Sequence, residues 1–439
     1  MDLTSRTSVS FGPPRDRSCG EGAAPARTRR QESVAAASLL LARISPLRPW
    51  IPQAVRRNAA IDIVAAAFFG VWGGLTAPFV PFMGRRLGAS ALEISVLVAA
   101  QAVVLLLSLW AVNLVRIAHP VRVVIIPSLI ARALFLAMPL VRSPEEYVAL
   151  IVIHYAVGQM GSLGYAQVMR AVYPDDARGR IMAVVRVGMA ICWIVASLIG
   201  GRLMQFLDFR WVFASGAVFG IASSLIFSRI RLPAVPEPEE RADVRQMGRI
   251  LRDDPGYRRF LTGLFIYGFA TWFSGPAVAI LLVDVLHATS FQAGLLGAVT
   301  SGTWLFSYYY WGRMIDRRSA AAAMSRVVFA GSLTPLVYLS ALNGWMVQGA
   351  GVTEGMTSAG FDIGWIAVVL QYAPAGHVRH YVAIFNFFVG LRAGSAPFLA
   401  GLLIPLIGVR WIFAIAAAGT FAGALLMRAA VRRAPASRV

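Results

Sequence analysis

The sequence predicts an all-α integral membrane protein with twelve membrane-spanning helices in two pseudo-symmetric bundles of six. Three observations carry that expectation. The composition suits lipid better than water, apolar runs of spanning length recur along the chain, and the second half repeats the first.

Of 439 residues, 58% are hydrophobic and only 14% are charged, with a mean hydropathy of +0.66. A soluble domain carries about 25% charged residues. That much apolar surface needs lipid as its solvent, so the bilayer is the first expected partner. The formal net charge is +20, and every basic residue is an arginine. The arginines sit in short clusters between apolar runs, where membrane topology needs them, so no nucleic-acid partner is expected. The two cysteines, Cys19 and Cys192, make no disulfide framework, and the five histidines form no HExxH or similar pattern. No cofactor or metal is expected. Without a nucleophile elbow or P-loop, neither is an enzyme.

Residues 1–57 read as an arm rich in Arg, Ser, Pro and Gly, expected to be poorly ordered and cytoplasmic. Thr28-Arg29-Arg30 ahead of an apolar stretch faintly resembles a twin-arginine signal, but Glu32, Arg43 and the lack of an A-x-A site argue against one. A transit peptide would be poorer in acids than Asp2, Asp16, Glu21 and Glu32 allow. Apolar runs then predict helices at 60–83, 92–114, 122–141, 146–170, 181–204 and 210–229 in a first bundle, residues 58–229. A second bundle, 259–429, has helices at 259–285, 291–312, 322–342, 344–371, 382–406 and 410–429. Each approaches or exceeds the ~20 residues that span a hydrocarbon core, and backbone groups in lipid must pair within their own segment. Between the bundles, 230–258 is polar, with Pro233, Pro236 and Pro238 among interleaved charges. It reads as a linker with a short amphipathic helix. Residues 430–439 form a tail.

Arginine placement sets the orientation. With both termini inside, the inner loops hold Arg116, Arg122, Arg170, Arg178, Arg180, the linker arginines, Arg313, Arg317, Arg318 and Arg379. The outer side holds Arg85, Arg86, Arg142, Arg202, Arg210 and Arg410. The bias predicts cytoplasmic termini in a plasma or inner cell membrane.

A shift of 200 residues aligns the halves. Gly164 falls on Gly364, Pro174 on Pro374, Gly201 on Gly401, and Arg210-Trp211-Val212-Phe213 on Arg410-Trp411-Ile412-Phe413. Nearer the start the offset is 198 to 199, where Leu87-Gly-Ala-Ser meets Leu286-His-Ala-Thr. Duplicated six-helix halves in one orientation are a recognised plan of secondary transporters.

With that repeat, Gly312-Arg313-Met314-Ile315-Asp316-Arg317-Arg318 is similar to the loop signature of the major facilitator superfamily, Gly-x-x-x-Asp-Arg followed by basic residues. The chain resembles that family over nearly all of 58–430. The first-half copy, Ala111 to Arg116, has lost both the Gly and the Asp, as in a divergent branch. Pro174-Asp175-Asp176-Ala177-Arg178-Gly179-Arg180 also matches a family loop. The resemblance implies a cytoplasmic gate built from Gly312, Asp316, Arg317, Arg318, Arg178 and Arg180. It also implies alternating access by a monomer to a small-molecule substrate, with protons as the coupling partner.

A charge at the bilayer centre costs about 2.5–3.5 kcal/mol on insertion scales, so each needs a reason. Arg132, His154, Glu354 and Arg392 fall near the midplane, with Arg186 and Asp362 nearer the inner side and Asp62 at the start of the first helix. Glu354, Ser358 and Asp362 share one helical face, as do His154, Gly158 and Ser162. His154 and Glu354 are repeat-mates 200 residues apart. The resemblance implies that both stripes line the substrate path. Depth near the midplane, where desolvation favours a neutral carboxyl, makes Glu354 the candidate for the coupling proton, with its repeat-mate His154 as partner across the cavity. The competing reading pairs Glu354 with Arg392 as a structural ion pair, and gives Arg132 a packing role. Trp72, Gln101, Gln159, Trp272, Trp304, Tyr308 and Asn386 offer further binding surface. A mostly apolar cavity points to an amphiphilic solute, with efflux as one direction. A non-transporting helper that assembles a membrane protein or pigment is the alternative from another class.

Overall fold

The computed structural model describes residues 51–100, 120–232, 244–374 and 376–432. The arm before Ile51, Gln101, the first-half loop copy at 111–116, most of the linker and the tail beyond Arg432 lie outside the described residues. So does the side chain of Ser162.

The described residues are helical nearly throughout. In the first half run α1 (Arg56–Arg86), α2 (Ala91–Ala100, its described part), α3 (Pro120–Leu134, ending in a 3-10 stretch to Leu140), α4 (Pro144–Val172), α5 (Asp175–Leu203) and α6 (Phe209–Phe227). A short amphipathic helix, α7 (Val244–Asp253), stands in the linker. The second half holds α8 (Pro255–Val285), α9 (Ser290–Arg317), α10 (Ala320–Ser340), α11 (Gln348–Tyr372), α12 (Val378–Ile407) and α13 (Val409–Arg432). Seven of these are long and apolar enough to cross a membrane by length and composition. Three more, α4, α9 and α11, have 29, 28 and 25 residues but carry more polar side chains.

Most helices start ahead of the apolar runs, because capping uses polar residues that hydropathy leaves out. Ser90 and Glu93 exchange capping bonds at the start of α2, as do Ser143 and Glu146 at α4 and Thr289 and Gln292 at α9. Asp254 caps α8 by accepting from the Tyr257 N–H at 3.1 Å, and its other oxygen accepts from the Tyr381 hydroxyl at 3.0 Å. One predicted start is corrected. The helix expected at 344 begins at Gln348, because the Asn343 side chain accepts the Trp345 and Met346 N–H groups in a turn.

The repeat is visible in the packing. In the first half α1 packs on α5 and α6, and α3 on α4; in the second, α8 packs on α12 and α13, and α10 on α11. Arg210 and Arg410 do the same job in each half. Arg210 donates to the Val141 carbonyl at 2.8 Å, and Arg410 to Leu339 and Ala341 carbonyls at 2.7 and 3.1 Å, tying α6 and α13 to the ends of α3 and α10. The turns after α1 and α8 are repeat-mates too, with Gly88 at φ 96° and His287 at φ 45°. Glycine reaches that region freely, whereas histidine is held there against its preference.

The halves meet at the end opposite Ile51 and Arg432, the first and last described residues. There α5 lies against α9, and a Cβ added at Gly201 would sit 2.8 Å from the Ser290 carbonyl oxygen. A Cβ at Gly294 would run into the Ser197 carbonyl, one at Gly297 into Pro78, and one at Gly401 into Ser95. Small residues allow this backbone approach. The Arg85 guanidinium grips the Asp284 carboxylate with two nitrogens, at 2.9 and 2.5 Å, and Arg86 donates to the Ser290 hydroxyl at 2.8 Å and the Ala288 carbonyl at 3.1 Å. Towards the terminal end Asp316, Arg317 and Arg318 are exposed, and Arg178 and Arg180 bond within the first half. A Cβ at Gly179 or Gly312 would meet nothing within 4 Å. The result is a cleft between the halves, shut at one end.

Candidate functional site

The polar groups of the cleft come from helices of both halves. From α11, Asp362 projects half-exposed. Its Oδ2 accepts from the Tyr308 hydroxyl at 2.6 Å and from the Trp304 indole N–H at 3.2 Å, both on α9. The Trp304 and Tyr308 rings meet edge to face, 4.6 Å between centroids. One helical turn separates the two residues, so a single face of α9 presents them. Across the cleft, the Arg186 guanidinium on α5 donates to the Tyr308 hydroxyl at 3.1 Å and approaches Asp362 at 3.5 Å. Both members of that ion pair stay open, at 49% and 45% side-chain exposure. A pair so long and so wet holds weakly. It is nonetheless a polar bridge between the halves partway along the cleft.

Behind it, in the first half, Asp62 is buried in α1 at 1% exposure. Its carboxylate accepts from the hydroxyl of Tyr173, the residue that ends α4, at 3.0 Å, and from Tyr165 on α4.

The predicted stripe on α11 divides. Ser358 and Asp362 are exposed. Glu354 turns into the second half, where it accepts from the Tyr338 hydroxyl at 2.9 Å. The reason is geometric. Eight residues of α-helix overshoot two whole turns by about 80°, so Glu354 and Asp362 point in different directions.

His154 does not face the cleft, which corrects the expectation of a partner for Glu354. It is 6% exposed inside the first half. Its Nδ1 donates to the Ala131 carbonyl at 2.7 Å, and its ring packs on Phe135, Trp72 and Tyr155 with centroids 4.6, 5.5 and 5.4 Å apart. Trp72 is thereby part of that packing rather than open binding surface. Arg132 is likewise interior. It donates to the Gly220 carbonyl at 2.7 Å and to the Ser224 hydroxyl, with its guanidinium 5.2 Å from the Phe69 ring centroid and 5.4 Å from that of Trp72. Carbonyls and aromatic faces thus provide what a buried guanidinium lacks in lipid.

Arg392 is 6% exposed in the second half and donates to the Leu264 carbonyl at 2.6 Å. Gly268 on α8 leaves room for its guanidinium. No ion pair joins it to Glu354 among the described residues, so the structural-pair reading of those two is corrected as well. Both groups are instead neighbours of Tyr267.

The gate residues are not brought together in this state. Asp316, Arg317 and Arg318 are exposed at the open end. Arg178 stays in its own loop, 2.7 Å from Asp175 and donating to the Arg170 and Tyr173 carbonyls at 3.1 and 3.0 Å. Arg180 donates to the Asp176 carbonyl at 3.4 Å.

Sequence reasoning placed Arg186, Tyr308, Trp304 and Asp362 in the membrane without joining them. Arg186 and Asp362 lie 176 positions apart, and no spacing in one sequence links them.

A family model described as Major Facilitator Superfamily matches residues 63–262 and 260–439. No curated protein matches. Among solved structures, a point mutant of the nucleoside transporter NupG superposes with a TM-score of 0.64 at 13% identity, over 84% of this chain and 98% of that one. A bacterial homolog of the human lysosomal transporter Spinster, inward-facing and occupied, gives 0.62 at 12% identity, over 87% and 98%. The human organic anion transporter MFSD10 gives 0.60 at 15%, over 86% and 100%. At such identities the structural likeness speaks for the fold.

Proposed function

Because the chain belongs to the major facilitator superfamily, a family of membrane transporters, we propose that it is a secondary transporter that moves a small amphiphilic solute through the central cleft by alternating access, coupled to protons. The observation that carries this reading is the cleft itself, closed by glycine-packed helices at one end, open at the other, and bridged midway by Arg186 and Asp362. One chain supplies both walls, so a monomer suffices.

The arginine bias supports a cytoplasmic position for the terminal end, in a plasma or inner membrane. On that orientation the cleft is inward-facing. Asp362 is then the carboxyl best placed to exchange the coupling proton, since it is exposed in the cleft and shared between the halves, whereas Glu354 is turned away. Occupancy of Asp362 by a proton or by Arg186 can differ between outward- and inward-facing states, which is what coupling requires.

Reconstitution into proteoliposomes under an imposed pH gradient, with a panel of radiolabelled solutes, tests the proposal. A solute concentrated by wild type should no longer be concentrated by Asp362→Asn, while exchange down its own gradient persists. Concentration surviving in Asp362→Asn but lost in Glu354→Gln would return the proton to Glu354. No transport of any solute by wild type would remove the transport reading.

A further inference from the structure

We propose that Arg186 is an anion-recognition residue, and that the solute entering the cleft carries a carboxylate or comparable negative group on an aromatic or apolar body; this rests on the transport reading above.

The argument begins with how the nearby carboxylates are satisfied. Asp362 takes two neutral donors from its own half, Tyr308 at 2.6 Å and Trp304 at 3.2 Å. Asp62 takes its donors from Tyr173, at 3.0 Å, and Tyr165, again within its own half. Neither needs Arg186 to complete its hydrogen bonding. Arg186, by contrast, has five N–H donors in a planar fork. The Nη1 atom reaches the Tyr308 hydroxyl at 3.1 Å and Asp362 at 3.5 Å, and half of the side chain is open. Among the described residues the fork makes no other hydrogen bond.

Half-exposed and with so loose a counter-ion, the guanidinium keeps hydration that an entering anion can replace with direct charge-assisted hydrogen bonds. Planar, bidentate recognition of a carboxylate or phosphate is what a guanidinium does best. The opposite assignment, an organic cation at Asp362, fits less well. Such a cation would have to compete with Arg186 for Asp362, whereas an anion at Arg186 leaves Asp362 with both neutral donors. The edge-to-face Trp304–Tyr308 pair beside the fork provides an aromatic wall for the solute's body.

Equilibrium binding to the purified transporter in nanodiscs tests this with three probes of one shape: naphthalene-2-carboxylate, neutral 2-naphthamide and 2-naphthylmethylamine. The carboxylate should bind most tightly. Its Kd should weaken about 10- to 100-fold in Arg186→Gln, the range lost with a hydrogen bond to a charged group, and less in Arg186→Lys. In Asp362→Asn, where the competing carboxylate is gone, its binding should hold or tighten. Size-exclusion profiles of each variant separate misfolding from lost recognition, with Arg186→Lys keeping the test alive if Arg186→Gln does not fold. Tighter binding of the amine, lost in Asp362→Asn, would overturn the proposal. So would carboxylate binding unchanged in Arg186→Gln, or no binding of the carboxylate at all. Any of these results in a protein that still concentrates some solute sinks the anion class alone. A protein that transports nothing sinks the transport reading first.

Discussion

The two ends of the cleft hold charges in opposite ways. At the closed end, Arg85 and Asp284 reach across from one half to the other and bond through two nitrogens. At the open end, Arg178 and Arg180 bond within their own loop, and Asp316, Arg317 and Arg318 stand in solvent. A latch shows its partners only in the state it closes. The closed end can therefore be read from contacts, while the open end can be read only from sequence signature and charge.

The largest expected effect lies in the close packing of the closed end. Gly294→Leu has no space beside the Ser197 carbonyl and Phe79. Overpacking of this kind costs about 1–3 kcal/mol, enough to shift opening at that end by about 5- to 150-fold. Cysteine labelling near Ser290 from the outside should rise accordingly and transport should collapse. Unchanged labelling would mean that this packing does not form the gate.

A smaller effect is expected from the latch itself. Arg85 and Asp284 are 27% and 35% exposed, and partly exposed pairs contribute about 0.2–1 kcal/mol. Arg85→Ala or Asp284→Ala should raise outside labelling by no more than about fivefold, less at high salt. The exchange of Arg85→Asp with Asp284→Arg should restore the wild-type value. If the exchanged pair behaves like the single variants, the contact is incidental.

Glu354→Gln sharpens the comparison from the middle of the molecule. The Tyr338 hydroxyl keeps an acceptor, so thermal stability should fall by about 1 kcal/mol or less, with transport still driven by a pH gradient. The smallest effect belongs to Asp316→Asn at the open end. It should slow transport by about two- to threefold, the scale of one exposed charge, and leave labelling of the closed end unchanged. Altered closed-end labelling would show that the two ends are linked through more than the rigid halves.

Most of the fold was legible because lipid imposes a length on every apolar run, and because the duplication repeats its glycines, prolines and Arg-Trp-x-Phe in register. The described helices overlap the predicted runs throughout. The site was half legible. Depth could be counted along a helix, and that count placed Arg132, His154, Glu354 and Arg392 in the membrane. Direction could not be counted as well. His154 and Arg132 turn into the first half because carbonyls of Ala131 and Gly220 wait there, and a single sequence carries no record of which carbonyl a side chain will meet. The capping boxes at Ser90, Ser143 and Thr289 are written in the sequence too, and they mark where three helices begin.

The closing latch also bears on ancestry. Arg85 and Asp284 are 199 positions apart, the offset of the duplication at that point, so they are counterparts facing each other across the pseudo-two-fold axis. Two identical subunits would set like against like there, arginine on arginine or aspartate on aspartate, and the contact would repel. Attraction at this site demands that the two copies differ, which duplication allows and a single repeated sequence does not. The latch is therefore younger than the duplication that built the fold.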